Sequence, residues 1–175
     1  SYSWQHGVFV GATMASERTA AQVGKIGEVR RDPMAMLPFC GYNMADYFRH
    51  WLQIGQAMTK PPKIFHVNWF RTDENGEYLW PGYGDNLRVL EWILARCRGE
   101  ADAIATPIGY VPTLDSLDMT GLHLSPAVLQ ELLRVDRQEW LEEVESIRQF
   151  FDTFDGRIPH ALRDEVDALQ RRLLT

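Results

Sequence analysis

The sequence contains only two cysteines among its 175 residues, Cys40 and Cys97, and both stand in apolar surroundings. Two cysteines are too few for a disulfide framework, so a reduced, cytoplasmic setting is expected. No apolar run approaches the roughly 20 residues that a membrane-spanning helix needs. The first residues also lack the basic flank and apolar core of a secretory signal peptide. The sequence therefore predicts neither a disulfide-rich secreted scaffold nor a membrane partner.

Positive charge is also scarce, because 18 Lys and Arg stand against 24 Asp and Glu for a net charge of −6. A general nucleic-acid binder should carry a basic face, so that class is excluded, whereas a single nucleotide needs only local donors. A hydrophobic content of 45% is ordinary for a globular protein. A chain of this length fits one domain and can bury about 70% of its unfolded surface.

Familiar catalytic motifs are missing. The phosphate-loop pattern G-x-x-x-x-G-K-[ST] and the nucleophile pattern G-x-S-x-G do not occur. The five histidines are scattered, and none pairs with another His or Cys at zinc-ligand spacing. From the residues alone, the chain shows no complete catalytic set and no metal site.

The first half of the chain predicts strands around one helix. The apolar run 7–14 is typical of a short buried strand, and Asn43 can cap a helix over residues 43–57. Residues 63–70 alternate and are rich in strand formers. With the DENG turn that follows, they predict a hairpin with residues 77–80. The sequence begins almost directly with a strand-like segment, which predicts that the chain is a piece of a longer protein.

The second half predicts mainly helices. One is expected from Leu87 to Arg98, ending at Gly99, and Ser125-Pro126 should open another. Two more are expected over 137–151 and from about 159 to 173, while 100–124 is predicted to be irregular. The helix predicted from Leu87 to Arg98 has an apolar face that comprises Leu87, Leu90, Leu94 and Cys97. Strands first and helices last indicate a mixed α/β or α+β fold.

The most unusual stretch is HVNWFRTDENGEYLWPGYGDN, residues 66–86, which places six rings beside a polar, Gly-rich turn: His66, Trp69, Phe70, Tyr78, Trp80 and Tyr83. A flat base stacks on such rings for roughly 1–3 kcal/mol. The side chains of Asp85 and Asn86 could then contact the edge of a purine base. The alternative is that the rings pack a core and that Asp85 or Asn86 merely caps the following helix.

Four motifs resemble blocks of the GTP-dependent phosphoenolpyruvate carboxykinases, in the order and near the spacing found in that family. They are WQHGVFVGATMASE, RRDPMAMLPFCGYNMADYFRHWL, HVNWFRTDENGEYLWPGYGDNLRVLEWI and TPIGYVP. The resemblance covers about residues 4–120, and the C-terminal helices match more loosely. It implies that the whole chain, 1–175, is a segment of the family's C-terminal nucleotide-binding domain, a mixed α/β fold with short strands and a helical C-terminus over 125–174.

The resemblance also implies a guanine pocket within residues 63–86. Three rings around the base correspond to Phe70, Tyr78 and Tyr83, and Trp69 backs them. The turn that touches the base edge corresponds to Gly84, Asp85 and Asn86, with Asn86 the strongest candidate for a hydrogen bond to the base. These roles come from the family and not from the spacing of the residues.

A further implied feature is the family's active-site lid, which corresponds to residues 16–28. Its members here are Ser16, Glu17, Arg18, Thr19, Ala20, Ala21, Gln22, Val23, Gly24, Lys25, Ile26, Gly27 and Glu28. The apex QVGKIG departs from the pattern of animal forms, so lid contacts made through a histidine and an acid there cannot be transferred. Without the resemblance, the same residues would be a plain surface loop.

The family reaction converts oxaloacetate and GTP to phosphoenolpyruvate, CO2 and GDP in gluconeogenesis. The resemblance places the phosphate loop and the ligands for Mn2+ and Mg2+ upstream of the first motif, so this segment should hold no catalytic residue and no metal and be inactive alone. GTP or GDP is the expected ligand, oxaloacetate and phosphoenolpyruvate are partners through the complete enzyme, and a cytoplasmic monomer is expected. One alternative is a stand-alone, non-catalytic guanine-nucleotide-binding module, and another is an interaction domain whose aromatic residues are all core.

Overall fold

A computed structural model describes residues 1–17 and 29–175 and confirms a mixed α/β fold of helices and short antiparallel strands. The elements in chain order are α1 (Trp4–Ala12), β1 (Ala15–Glu17), β2 (Val29–Arg31), α2 (Met44–Ala57), α3 (Asn86–Arg98), β3 (Ala103–Thr106), β4 (Gly109–Pro112), α4 (Pro126–Leu133), α5 (Arg137–Asp152) and α6 (His160–Leu174). Short 3-10 turns cover Pro33–Ala35, Leu37–Phe39 and Tyr83–Asp85. No helix in the described ranges is long and apolar enough to cross a membrane.

The chain divides into two compact units. The first unit comprises residues 1–64 and 137–175, and the second unit comprises residues 65–136. The predicted guanine pocket, apart from its first two residues, falls in the second unit.

The predicted strand over 7–14 is wrong, because these residues form most of helix α1. Ser3 begins the helix, and its hydroxyl accepts a hydrogen bond from the His6 N–H at 3.2 Å. Helix α1 packs against both α2 and α6. The buried residues of α1 are spread around the helix and include Val8, Phe9 and Ala12. A short helix covered on several sides carries no polar face, so its sequence cannot be told from that of a buried strand.

The helices that were predicted with a capping residue are confirmed, with small shifts at their ends. The Asn43 side chain accepts from the Ala45 N–H at 2.9 Å at the start of α2, and the Ser125 hydroxyl accepts from Val128 N–H at the start of α4. Gly99 ends α3 in the left-handed conformation, with φ of 80°. The core of the first unit is completed by the apolar faces of α5 and α6, namely Val144, Ile147, Phe151, Leu162, Val166, Leu169 and Leu173.

Strands β1 and β2 pair in antiparallel register, with Ala15 opposite Arg31. The buried Asp32 follows directly, and its carboxylate accepts hydrogen bonds from the Ser16 hydroxyl at 3.0 Å and from the Leu37 N–H at 3.2 Å. Of the predicted lid over 16–28, residues 18–28 lie outside the described part of the chain. The lid therefore stays a prediction.

The second unit has its own core around Trp92, Leu117 and Leu129. The Trp92 indole N–H donates to the Asp102 carbonyl at 3.1 Å. Strands β3 and β4 pair beside it as a tight hairpin, although this stretch was predicted to be irregular. Pro112 misled the prediction, because a proline at the end of a strand removes little from the ladder.

Candidate functional site: an aromatic hairpin and turn

The aromatic stretch contains a hairpin, but a shorter one than the sequence predicted. Residues 63–70 form no strand, so the predicted pairing of 63–70 with 77–80 is wrong. Instead, Thr72 pairs with Tyr78 in a single antiparallel bridge, and the Leu79 N–H donates to the Arg71 carbonyl at 2.9 Å. Residues 71–79 are called the aromatic hairpin below. Of the predicted stacking rings, Phe70 directly precedes this hairpin and Tyr78 lies within it.

The tip of the aromatic hairpin is organised by Asp73. Its Oδ1 accepts from the backbone N–H groups of Asn75 at 2.8 Å and Glu77 at 3.0 Å. These hydrogen bonds, with that from Glu77 the largest contribution, lower the pKa of the Asp73 carboxyl. Gly76 adopts φ of 81°, a conformation that a side chain would strain. The DENG turn therefore fixes the register that places Tyr78.

Arg71 ties the base of the aromatic hairpin to helix α4. One Nη donates to the Glu131 carboxylate at 2.8 Å. The other donates to the carbonyls of Leu132 at 3.3 Å and Arg134 at 3.0 Å, where α4 ends. Carbonyls at a helix C-terminus lack partners within the helix, so a guanidinium satisfies them and complements the helix dipole. No local sequence signal marks this contact, because it joins residues far apart in the chain.

The three predicted stacking rings are all displayed to solvent. The exposed fractions are 65% for Phe70, 64% for Tyr78 and 91% for Tyr83. Phe70 and Tyr78 lie edge to face, with ring centroids 6.1 Å apart and planes inclined by 64°. The structure thus brings two of the three rings together and leaves the third outside that pair. The alternative that the rings of this stretch form a core is wrong for these three, because core rings are covered by neighbouring side chains, but it holds for Trp80, which is buried.

The same stretch of chain contains a pair of tryptophans. The Trp69 and Trp80 rings are 6.0 Å apart and inclined by 48°. Trp80 is only 7% exposed, and its indole N–H donates to Oδ1 of Asn86 at 2.8 Å. Trp80 is one of the six rings of this stretch but is not among the predicted site residues. The sequence feature that could have indicated this contact is an indole N–H donor before the Pro-Gly turn and an amide acceptor after it.

The turn that follows presents backbone and polar side chains. Gly84 lies in a 3-10 turn, and a Cβ built there would meet no atom within 4 Å, so its backbone is open to approach. Asp85 makes no side-chain cap to α3; its Oδ1 instead accepts from Arg88 Nε at 2.9 Å. Asn86 begins α3, and its side-chain oxygen is directed to Trp80 rather than to the helix. The alternative that these two side chains merely cap α3 is therefore wrong.

A metal centre is not formed by the residues that the structure describes. Across residues 1–17 and 29–175, no three side chains of His, Cys, Asp or Glu come together as a ligand set.

The family model and the curated relatives that this chain resembles carry the same protein name. Residues 1–172 match the family model described as phosphoenolpyruvate carboxykinase C-terminal P-loop domain. The chain is 49% identical over 173 residues to phosphoenolpyruvate carboxykinase [GTP] of Thermoplasma volcanium, covering 99% of the chain and 29% of the relative. It is 53% identical over 175 residues to the protein of that name from Chlamydia muridarum, with the same coverage. For Arthrobacter sp. the identity is 51% over 173 residues, covering 98% of the chain and 28% of the relative. The chain spans less than a third of the length of these relatives.

Proposed function

The chain belongs to the GTP-dependent phosphoenolpyruvate carboxykinase family, and from that premise we propose that it supplies the guanine-binding segment of such an enzyme. The enzyme would convert oxaloacetate and GTP to phosphoenolpyruvate, CO2 and GDP. The proposed site comprises Trp69, Phe70, Tyr78, Tyr83, Gly84, Asp85 and Asn86. Its ligand is the base of GTP or GDP.

The proposal rests on the exposure of Phe70, Tyr78 and Tyr83 along a short stretch of backbone that hydrogen bonds hold in place. Large apolar rings gathered at a surface mark a binding site more often than chance exposure. Aromatic faces bind a flat base by stacking, for roughly 1–3 kcal/mol per ring. The hydrogen bonds of Asp73 and Arg71 hold the backbone next to Phe70 and Tyr78. Little ordering of the chain is therefore needed when a base binds.

Polar groups beside the rings supply the selectivity that stacking lacks. Asn86 is half-buried at the start of α3, and the open backbone at Gly84 lies two residues before it. A site that hydrogen-bonds one base edge rejects a base that leaves its buried polar groups unpaired. Asn86 is accordingly the main edge contact in the proposal, and Asp85 contributes through its pairing with Arg88.

The remaining functional assignments belong to the same proposal. Mn2+ and Mg2+ would be held by parts of the complete enzyme other than this chain, which alone would be inactive. The enzyme would work as a cytoplasmic monomer in gluconeogenesis. Identities of 49–53% to relatives named as carboxykinases favour this proposal over a stand-alone nucleotide-binding module.

The proposal is tested by titrating the chain with GDP, GTP and ADP while recording tryptophan fluorescence. Trp69 and Trp80 adjoin the rings, so a bound base should change their emission. We expect saturable binding of GDP and GTP and much weaker binding of ADP. Equal binding of all three nucleotides, or none, would contradict a guanine site within these residues.

A matched pair of variants separates binding from stability. Phe70→Ala should weaken GDP binding by roughly tenfold, the loss of one stacking partner. Phe39→Ala removes a phenylalanine of the first unit that is even more exposed, at 85%, and should leave binding unchanged. If both variants lost affinity alike, the effect would not come from stacking at Phe70.

A further inference from the structure

We propose that Trp80 is a positioning residue that fixes the orientation of the Asn86 amide and thereby restricts the site to purines carrying an oxygen at C6. The inference rests on the proposed function and extends it to the basis of its selectivity. Trp80 does not touch the base in this proposal; it acts through Asn86.

The first step is the direction of the hydrogen bond between the two side chains. An indole nitrogen carries a hydrogen and no accessible lone pair, so it can only donate. The Asn86 atom that lies 2.8 Å from Trp80 Nε1 must therefore be the carbonyl oxygen. The hydrogen bond from Trp80 thus fixes which end of the amide is oxygen, and the NH2 group at the other end is the only donor that the side chain can offer to a ligand.

The second step is that both partners are held in place. Trp80 is buried and packs against Trp69, so its indole cannot turn away without opening that contact. Asn86 is held by its own backbone, because its N–H donates to the Tyr83 carbonyl as the 3-10 turn runs into α3. An amide that would otherwise present either its oxygen or its nitrogen is thereby restricted to one orientation.

The third step is the chemistry of the purine edge. Guanine presents acceptors at O6 and N7, whereas adenine replaces O6 by an amino donor. A fixed NH2 group can donate to O6 of guanine but would face a second donor in adenine. Leaving two donors opposed in a partly buried site is costly, since neither can recover its bond to water. The selectivity of the site then depends on the indole N–H as much as on Asn86.

The test uses Trp80→Phe, which keeps a buried ring and removes the donor. Binding of GDP, IDP and ADP to the chain is measured by calorimetry. IDP carries the C6 oxygen without the 2-amino group and so isolates the contact in question. In the unsubstituted chain we expect GDP and IDP to bind better than ADP. In Trp80→Phe the ratio of IDP to ADP affinity should fall by about tenfold, the value of one lost orientation-dependent hydrogen bond.

Trp92→Phe is the matched control, because Trp92 is also buried in the second unit and its indole N–H also donates a hydrogen bond, to Asp102. That variant should keep the ratio of the unsubstituted chain. Asn86→Asp is the second variant, useful if Trp80→Phe does not fold. Its carboxylate can still accept from Trp80 but has no NH2 group, so the preference for IDP over ADP should be lost.

The outcomes distinguish the two proposals. A preference for GDP and IDP that persists in Trp80→Phe, or in Asn86→Asp, overturns the role of the fixed amide and leaves the guanine site standing. A chain that shows no preference for guanine before any substitution overturns both. Loss of preference in Trp80→Phe and Asn86→Asp, with retention in Trp92→Phe, supports the inference.

Discussion

The indole of Trp4 lies directly over the α-carbon of Gly55. A Cβ built at position 55 would sit 1.9 Å from Trp4 Cδ1 and 2.2 Å from its Nε1. The indole cannot easily retreat, because its N–H donates to the Trp51 carbonyl at 2.8 Å. Glycine in the last turn of α2 is thus required by the close approach of α1.

Gly55→Ala is therefore expected to destabilise the chain. Alanine favours a helix by about 1 kcal/mol over glycine, but the contact with Trp4 outweighs this gain. We expect a net loss of about 1–3 kcal/mol in the free energy of unfolding, the usual cost of overpacking. Urea unfolding followed by circular dichroism measures it. Gly41→Ala is the control, because a Cβ there meets no atom within 4 Å. Equal midpoints for the two variants would contradict the steric argument.

Arg71→Ala should loosen the aromatic hairpin. The substitution removes the hydrogen bonds to the carbonyls of Leu132 and Arg134, for a loss of about 1–2 kcal/mol. GDP binding should weaken as well, because Tyr78 is carried by the same hairpin. Arg98→Ala is the comparison, since Arg98 pairs with Glu100 at an exposed position and such pairs contribute little. Thermal unfolding and GDP titration of both variants check the prediction.

Stability should fall as the pH drops from about 6.5 towards 4. Burial lowers the pKa of His6 to about 4, with the nearby charge of Arg172 acting in the same direction. His6 is 2% exposed, and its Nδ1 accepts from the Tyr2 N–H at 3.0 Å. Between these pH values the unfolded chain binds a proton that the folded chain does not, so acid favours unfolding, by up to about 3 kcal/mol.

The contribution of His6 is isolated by His6→Asn, whose side-chain oxygen can replace the Nδ1 acceptor. Urea unfolding at several pH values should show a shallower slope between pH 4 and 6.5 in this variant. His123→Asn, at an exposed position, should retain the original slope. An unchanged slope in His6→Asn would show that other groups cause the acid sensitivity.

Tyr83→Ala should separate binding from folding more sharply than any other change at the site. Tyr83 is 91% exposed, so its removal is expected to alter stability by less than about 0.5 kcal/mol. The same substitution should weaken GDP binding by about 1–3 kcal/mol through lost stacking. Parallel calorimetric titration and thermal unfolding check both parts. A large loss of stability would indicate a packing role for the ring.

Sequence reasoning predicted best where a local signal marks the end of an element. Asn43, Gly99 and Ser125 each act within a few residues, so the ends of α2, α3 and α4 could be located. The prediction failed where tertiary packing, and not local sequence, determines the secondary structure. Residues 7–14 were predicted as a strand because burial on several sides of α1 removes the helical pattern.

Helix α3 shows a subtler limit. The predicted apolar face of Leu87, Leu90 and Leu94 exists, but these side chains are exposed, and the helix buries Trp92 instead. Periodicity identifies a face without saying what covers it. At the site, the rings were found because aromatic composition is local. The contacts of Trp80 with Asn86 and of Arg71 with α4 were missed because they depend on how turns bring distant atoms together.

The packing of α1 against α6 also sets an order of events during synthesis. Helix α1 is made well before α6, one of its core partners, because α2 to α5 lie between them in the chain. The second unit is continuous, so its core can close while translation continues. The first unit must wait for α6 to leave the ribosome, and contacts between such distant segments form slowly. Until then, helix α1 lacks that partner, so the newly made chain would depend most on chaperones in the interval before α6 emerges.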